Sequence, residues 1–221
     1  NPKPDSEELS QVNWVQGDAT DAKTVDQVLK NSDAAVHAIG LLFDVDSGLA
    51  NLNKIVSGSG SIPGDSSTYD AITRSTAFNV IASIEKKQST NIGSLLSKNG
   101  SSRYPFMFVS AAEAGWPDVP FGKTIDEKLA PAWLNKYLVA KRAVESRLRE
   151  SNDAKGTIRS AVFRPSLIWD WTKFDVLPII PVFNIAAAVG VPFVDKTVRV
   201  ETLADAIVAG LGGGDVEGGE R

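Results

Sequence analysis

A chain of 221 residues, 43% hydrophobic and 23% charged, has the length and composition of one globular domain with room for a sizeable core. Its formal net charge of −4 and pI near 5.1 give no basic footprint, so nucleic acid is not an expected partner. The lack of cysteine excludes disulfides, thiolate catalysis and cysteine-ligated metals, and a single histidine, His37, excludes a histidine-cluster centre, so no metal is expected.

Residues 1–11 read as an exposed lead-in with neither initiator methionine nor signal peptide, as if processed or cut from something longer. Val12 to Gln16 alternates as a short strand does and closes on Gly17-Asp18. Thr20 to Leu29 predicts a helix, with Asp21 near its start and Val25, Val28 and Leu29 on one face. Ala34 to Ile39 is a run of small and apolar residues ended by Gly40, the mark of a strand buried on both faces. Strand, helix and strand at this spacing predict a parallel βαβ unit.

From Asp44 to Thr68 the periodicity is lost, and the Ser/Gly run at 57–61 with Pro63-Gly64-Asp65 predicts a long loop. A helix resumes from Tyr69 to Lys87 with Ile72, Ala77, Val80, Ile81 and Ile84 inward, and Gly93 to Lys98 extends or follows it. Tyr104 to Ser110 predicts a third buried strand ending at Ala111-Ala112, and 113–132 a second long connection rich in Gly and Pro. Trp133 to Glu150 predicts an amphipathic helix, with Trp133, Leu134, Tyr137, Leu138, Val144 and Leu148 near a period of 3.6. Ile158 to Phe163 is a fourth strand, broken by Arg164-Pro165. Residues 176–194 are the most apolar stretch, but Pro178, Pro181, Asn184, Gly190 and Pro192 argue against a transmembrane helix. A pocket-lining or interfacial segment is expected there. Thr197 to Val200 predicts a small strand, Glu201 to Leu211 a closing helix, and 212–221 a frayed tail or the approach to a further strand.

These elements are organised around Tyr137 and Lys141. Positions i and i+4 share a helical face, so phenol and ammonium can point into one site. A nearby cation favours phenolate and lowers a tyrosine pKa, which would suit Tyr137 to proton exchange at a carbonyl or alcohol. The plainer alternative is a core aromatic beside a snorkelling lysine.

Four strand ends fall in order: Gly17-Asp18, His37-Ala38-Ile39-Gly40, Ser110-Ala111-Ala112 and Arg164-Pro165-Ser166. Ligands of a doubly wound sheet bind at the carboxyl ends of its strands. With Tyr137-x-x-x-Lys141 between the third and fourth ends, the chain resembles the extended and atypical short-chain dehydrogenase/reductases from Val12 to Leu211. The resemblance implies an α/β fold, a doubly wound parallel sheet of Rossmann type, over a single domain of residues 1–221 with a small substrate or interaction lobe around 166–200. It also implies NAD or NADP as cofactor. Asp18 would accept from the adenine amino group, with Ala19 beside the ring, and His37, Ala38, Ile39 and Gly40 would wall the adenine ribose and pyrophosphate. Asn79 matches an asparagine of the family's central helix. Lys141 would bond the nicotinamide ribose and activate Tyr137, Ser110 would orient substrate, and Pro165, Ser166 and Leu167 would border the carboxamide.

Phe106 to Pro117 and the later YLVAKRAVE resemble most the branch holding the dehydrogenase-like protein of mitochondrial coenzyme Q biosynthesis. Plant and algal organellar relatives and, more distantly, the nucleotide-binding accessory subunit of respiratory complex I belong to it too. This implies an organellar protein, mitochondrial or plastid, soluble or peripheral to a membrane. Two functions follow: an oxidoreductase acting on a lipophilic carbonyl, quinone- or isoprenoid-like, or a non-catalytic accessory subunit of an organellar membrane complex. Two departures bear on the choice. No Gly-rich turn precedes Val12, so the family's opening strand–Gly-rich loop–helix unit is lacking and is expected upstream. The family's catalytic hydroxyl aligns with Ala111, with Ser110 one residue early and so turned to the other face of its strand.

Overall fold

Three strands pair in parallel in the order β1-β2-β3: β1 (Ala35–His37), β2 (Tyr104–Val109) and β3 (Ile158–Phe163). The computed structural model describes residues 10–41, 47, 64, 66–90, 103–128, 130–169, 180–189 and 194–212. Most of the loop expected at 44–68, the segment 93–98, the ends of the apolar stretch at 176–194 and the tail after Gly212 lie outside these residues.

The central strand explains the rest of the sheet. β2 reads Tyr-Pro-Phe-Met-Phe-Val, and Phe106, Met107 and Phe108 are completely buried, as a strand covered on both faces requires. Pro105 has no amide hydrogen to give, yet β1 begins opposite Phe106, so the proline stands just outside that ladder. Tyr104, Phe106 and Phe108 alternate onto one face and join a core with α1 (Ala22–Leu29), α2 (Thr76–Thr90, entered through a π-helical turn at Asp70–Ser75) and α4 (Ala132–Glu150). Each large apolar side chain so buried contributes about 1.5–3 kcal/mol before entropy is counted. Arg159 in β3 turns to the opposite face, where its guanidinium donates to the carbonyls of Gly210 (2.7 Å) and Leu211 (2.8 Å). A cation there suits the carboxyl end of α6 (Val200–Leu211), which packs on β2. Helices therefore lie on both faces of a parallel sheet, the doubly wound α/β arrangement expected.

Local chemistry sets the helix ends. Asp21 caps α1 by accepting from the amides of Lys23 (3.1 Å) and Thr24 (3.3 Å), and Lys87 reaches from α2 to the Leu29 and Ser32 carbonyls beyond its other end. Gly156, at φ +60°, ends the extension of α4 in the left-handed region.

The structure departs from the sequence reading at residues 12–16 and in the connection at 113–132. Residues 12–16 carry no strand, because alternation marks only a candidate while a strand also needs a neighbour to pair with. The connection at 113–132 contains a 3₁₀ helix (Ala112–Asp118) and α3 (Gly122–Lys128). Arg142 of α4 pins both, donating to the Ala114 (3.0 Å) and Glu113 (3.2 Å) carbonyls and forking onto Asp126 (2.7 and 3.0 Å). At Gly122 a Cβ would lie 1.7 Å from the Trp116 carbonyl oxygen, so no other residue fits. The apolar stretch forms α5 (Ile180–Ala188), whose Val182 and Ile185 are exposed. Among the described residues, no helix is long and apolar enough to cross a membrane. A second, two-stranded parallel sheet pairs β4 (Ile168–Trp169) with β5 (Val198–Arg199).

Candidate functional site

The inward stripe of α4 is Leu138, Lys141, Val144, Glu145 and Leu148, so two ionisable groups interrupt an otherwise apolar face. Lys141 is 3% exposed and Glu145 is 2% exposed. Both meet the carboxyl end of β2, one helical turn apart. The Lys141 ammonium donates to the Val109 carbonyl (2.7 Å), and the Ser110 hydroxyl donates to Glu145 Oε1 (2.6 Å). Arg164, just after β3, donates through Nη2 to Glu145 Oε2 (2.6 Å) and through Nε to Oε1 (3.1 Å). Ser110 is thus engaged in the helix–sheet interface.

An ammonium has three protons, and Val109 takes one. Lys141 also lies 5.0 Å from the Phe108 ring centroid and 5.6 Å from that of Tyr137. Burial brings its pKa down to about 8 against the opposing pull of the Glu145 carboxylate. Among the described residues Val109 takes the one hydrogen bond the ammonium gives, which leaves the amine able to donate to a further oxygen.

Tyr137 shares that face but not the expected electrostatics. Burial, followed by the Glu113 carboxylate and Tyr69, pushes its phenol well above the ordinary value of 10.0. The predicted lowering by Lys141 is overturned: desolvation of a half-buried phenol beside an acid outweighs a cation lodged on a backbone carbonyl. Tyr137 is therefore held protonated, edge-on to the buried Tyr69 ring at 5.7 Å. Glu113 was not legible as a site residue. It follows Ser110-Ala111-Ala112 by position alone, and burial, with Asp195 nearby, pushes its carboxyl up.

His37 and Gly40 bring the end of β1 to the same place. A methyl group on Gly40 would lie 3.5 Å from Lys141 Nζ. His37 is 2% exposed, with Nε2 2.9 Å from the Thr76 hydroxyl and its ring 5.7 Å from Phe108. Burial, then the Lys141 charge, lowers it to about 4, so it is neutral at physiological pH. Ala38 and Ile39 are exposed between them.

Asp18, Ala19 and Asn79 form a separate cluster. Asn79 Nδ2 donates to the carbonyls of Ala19 (3.1 Å) and Thr20 (2.9 Å), fastening that turn to α2. Asp18 Oδ1 accepts from the Thr20 amide (2.8 Å) and hydroxyl (2.7 Å), which hold its exposed carboxyl below the usual range. At the far edge of the sheet, Pro165 is buried and its carbonyl accepts from the Ala112 amide (2.9 Å). The Ser166 hydroxyl donates to the Lys196 carbonyl, and the Leu167 carbonyl accepts from Val198 (3.0 Å). Lys141, Tyr137, His37 and Gly40 are thus brought together, with Asp18 and Asn79 beside α1 and Pro165 to Leu167 beyond β3. Among the described residues, no group of three or more His, Asp or Glu side chains is placed to hold a metal ion.

No family model and no curated protein matches the chain. Solved structures to which it is similar include a candidate epimerase from Burkholderia cenocepacia, at 18% identity and TM-score 0.44, over 85% of this chain and 50% of that one. Another is RMD from Pseudomonas aeruginosa complexed with NADPH, at 17% identity and TM-score 0.43, over 79% of this chain and 49% of that one. A third is a short-chain dehydrogenase/reductase from Vibrio parahaemolyticus, at 17% identity and TM-score 0.41, over 88% of this chain and 84% of that one. The chain spans about half the length of the first two.

Proposed function

We propose that this chain carries the strand-end part of a nicotinamide dinucleotide site of the short-chain dehydrogenase/reductase kind, and that the protein reduces a carbonyl with it. The observation that carries this reading is Lys141, a 97% buried amine (3% exposed) with one bond to Val109 and donors to spare beside Gly40. A ribose diol presents the paired oxygens that such an amine accepts. The residues at hand fit the nicotinamide–ribose part of the cofactor. The described residues contain no Gly-rich strand-to-helix turn for its pyrophosphate. When bound, the cofactor supplies the hydride.

The proton is this chain's contribution. A phenol kept protonated cannot serve as a base, but it can give its proton to an oxygen that gains charge as a carbonyl is reduced. Tyr137 takes that role, in the direction of reduction. Lys141 orients the diol, and the Tyr69 and Phe108 rings exclude water around the phenol and the amine. A lipophilic carbonyl suits the exposed apolar residues of α5 as a substrate class.

A second reading, binding without turnover, is favoured by one observation. The Ser110 hydroxyl is bound to Glu145, and Ala111 beside it has no hydroxyl to orient a substrate. An accessory role in an organellar membrane complex belongs to that reading.

Titration with NADH and NADPH by fluorescence tests both. Saturable binding, lost in Lys141→Met and weakening as the pH rises through about 8 and the amine loses its proton, is the expected result. Tyr137→Phe should keep binding and lose turnover under the first reading, whereas no turnover in either protein supports the second. No binding by the native protein sinks both.

A further inference from the structure

Lys141 and Glu145 stand four residues apart on one buried face, a spacing at which ammonium and carboxylate readily pair. They do not pair here. Glu145 gives both oxygens to Arg164, at 2.6 and 3.1 Å, and Oε1 also accepts from Ser110, while Lys141 turns to the Val109 carbonyl. The arginine fork satisfies a carboxylate bidentately, which a lysine cannot do.

We propose that Arg164 is a positioning residue of the site: by occupying Glu145 it keeps that carboxylate from capturing Lys141, and so leaves the amine free for a ligand oxygen. This rests on the reading that Lys141 meets a ligand. The charges support it. Glu145 and Arg164 cancel, and Arg164 reaches outward to the exposed Asp118 (3.3 Å), so among the described residues no carboxylate is left to pair with Lys141. A buried cation left over in this way is costly unless something else compensates it. A bound ligand does so, and a fixed ion pair with Glu145 would remove the need for one.

The groups facing Lys141 are few and come from each packed element. Tyr137 and Glu145 lie on α4, and His37 lies on β1. β2 offers the Val109 carbonyl and the Phe108 ring. Glu113 and Asp118 of the 3₁₀ helix act at one remove, through Tyr137 and Arg164 respectively. Burial is the larger influence on the lysine midpoint, and among the charged groups Glu145 is the one that opposes it.

The test is an NMR titration of Lys141 in protein with labelled lysine side chains, its signal assigned by loss in Lys141→Met, beside NADH titrations of the same variants. In Arg164→Gln the released carboxylate should raise the Lys141 midpoint above that of the native protein. NADH binding should weaken roughly tenfold to a hundredfold, the worth of one charge-assisted hydrogen bond. In Glu145→Gln the midpoint should fall below the native one. The double variant Glu145→Gln/Arg164→Gln, which removes the Glu145–Arg164 pair without leaving either of its charges alone, should recover NADH affinity and serves if a single variant does not fold. Opposite shifts in the two single variants are the signature, because loosened packing alone would move both midpoints the same way. Shifts in one direction, unchanged midpoints, or a double variant no better than Arg164→Gln would overturn the proposal. Opposite shifts in a protein that never binds NADH would uphold the role of Arg164 and defeat the dinucleotide reading.

Discussion

Around β3 the charges that enter the interior meet partners, whereas β1 is paired on one side only among the described residues. Glu145 holds Arg164 and Ser110, and Arg159 holds the last carbonyls of α6. Among the described residues β1 pairs with β2 alone, and beside it lies an open trough of about 340 Å³ lined by residues such as Val15, Val25, Val28 and Val36. The same sheet is thus rigidly built at one side of the candidate site and open at the other. Lys141 belongs to the built side and Gly40 to the open one. Under the proposed function, a ligand between them would meet a fixed donor on one side and the end of β1 on the other.

The largest effect should come from the built side. Phe106 is completely buried between β1 and β3, so Phe106→Ala should cost about 3–5 kcal/mol in urea unfolding. A loss near 1 kcal/mol would mean that β2 is not the centre of the core.

His37 sharpens the contrast within a single strand, because it sits on the edge strand with its ring in the core. Its pKa is near 4 in the folded chain and about 6.5 in an unfolded one. Between those values the unfolded chain takes up the proton and the folded chain does not. Stability therefore falls as pH drops through that window, by up to about 3 kcal/mol, and the effect levels off below pH 4. Urea midpoints from pH 7 to 4 should show this slope in the native protein and lose it in His37→Gln.

The smallest effect belongs to the outer side. Val36, next to His37, is 44% exposed, and Val36→Thr should change stability by no more than about 0.5 kcal/mol. A cost of several times that would show that the β1 edge is covered in solution.

Much of this was legible in the sequence, for reasons that differ by element. β2 announces itself as a short continuous apolar run, and α2 and α4 because their apolar residues repeat with the period of a helix. Tyr137 and Lys141 were found because helical spacing fixes which side chains share a face. The behaviour of Tyr137 was hidden, since a pKa depends on burial and on Glu113, neither of which spacing reveals. Glu145 was hidden too: in the sequence it is one more charge on an amphipathic helix, and its partner Arg164 lies 19 residues away. Val12 to Gln16 misled in the other direction, because alternation reports an extended backbone and says nothing of whether a neighbour exists. The helices within 113–132 were masked by the glycine and proline that usually break helices.

That connection also carries a consequence for how the chain can vary. Gly122 meets the Trp116 carbonyl with room for a hydrogen and nothing larger, and Phe121 before it is held at φ +63°. A stretch whose ends are fitted to one another so closely is a part of fixed length, not a spacer. Between Trp116 and Gly122 the chain can neither gain nor lose a residue without dislodging the segment that sets Glu113 beside Tyr137, however loop-like its letters look.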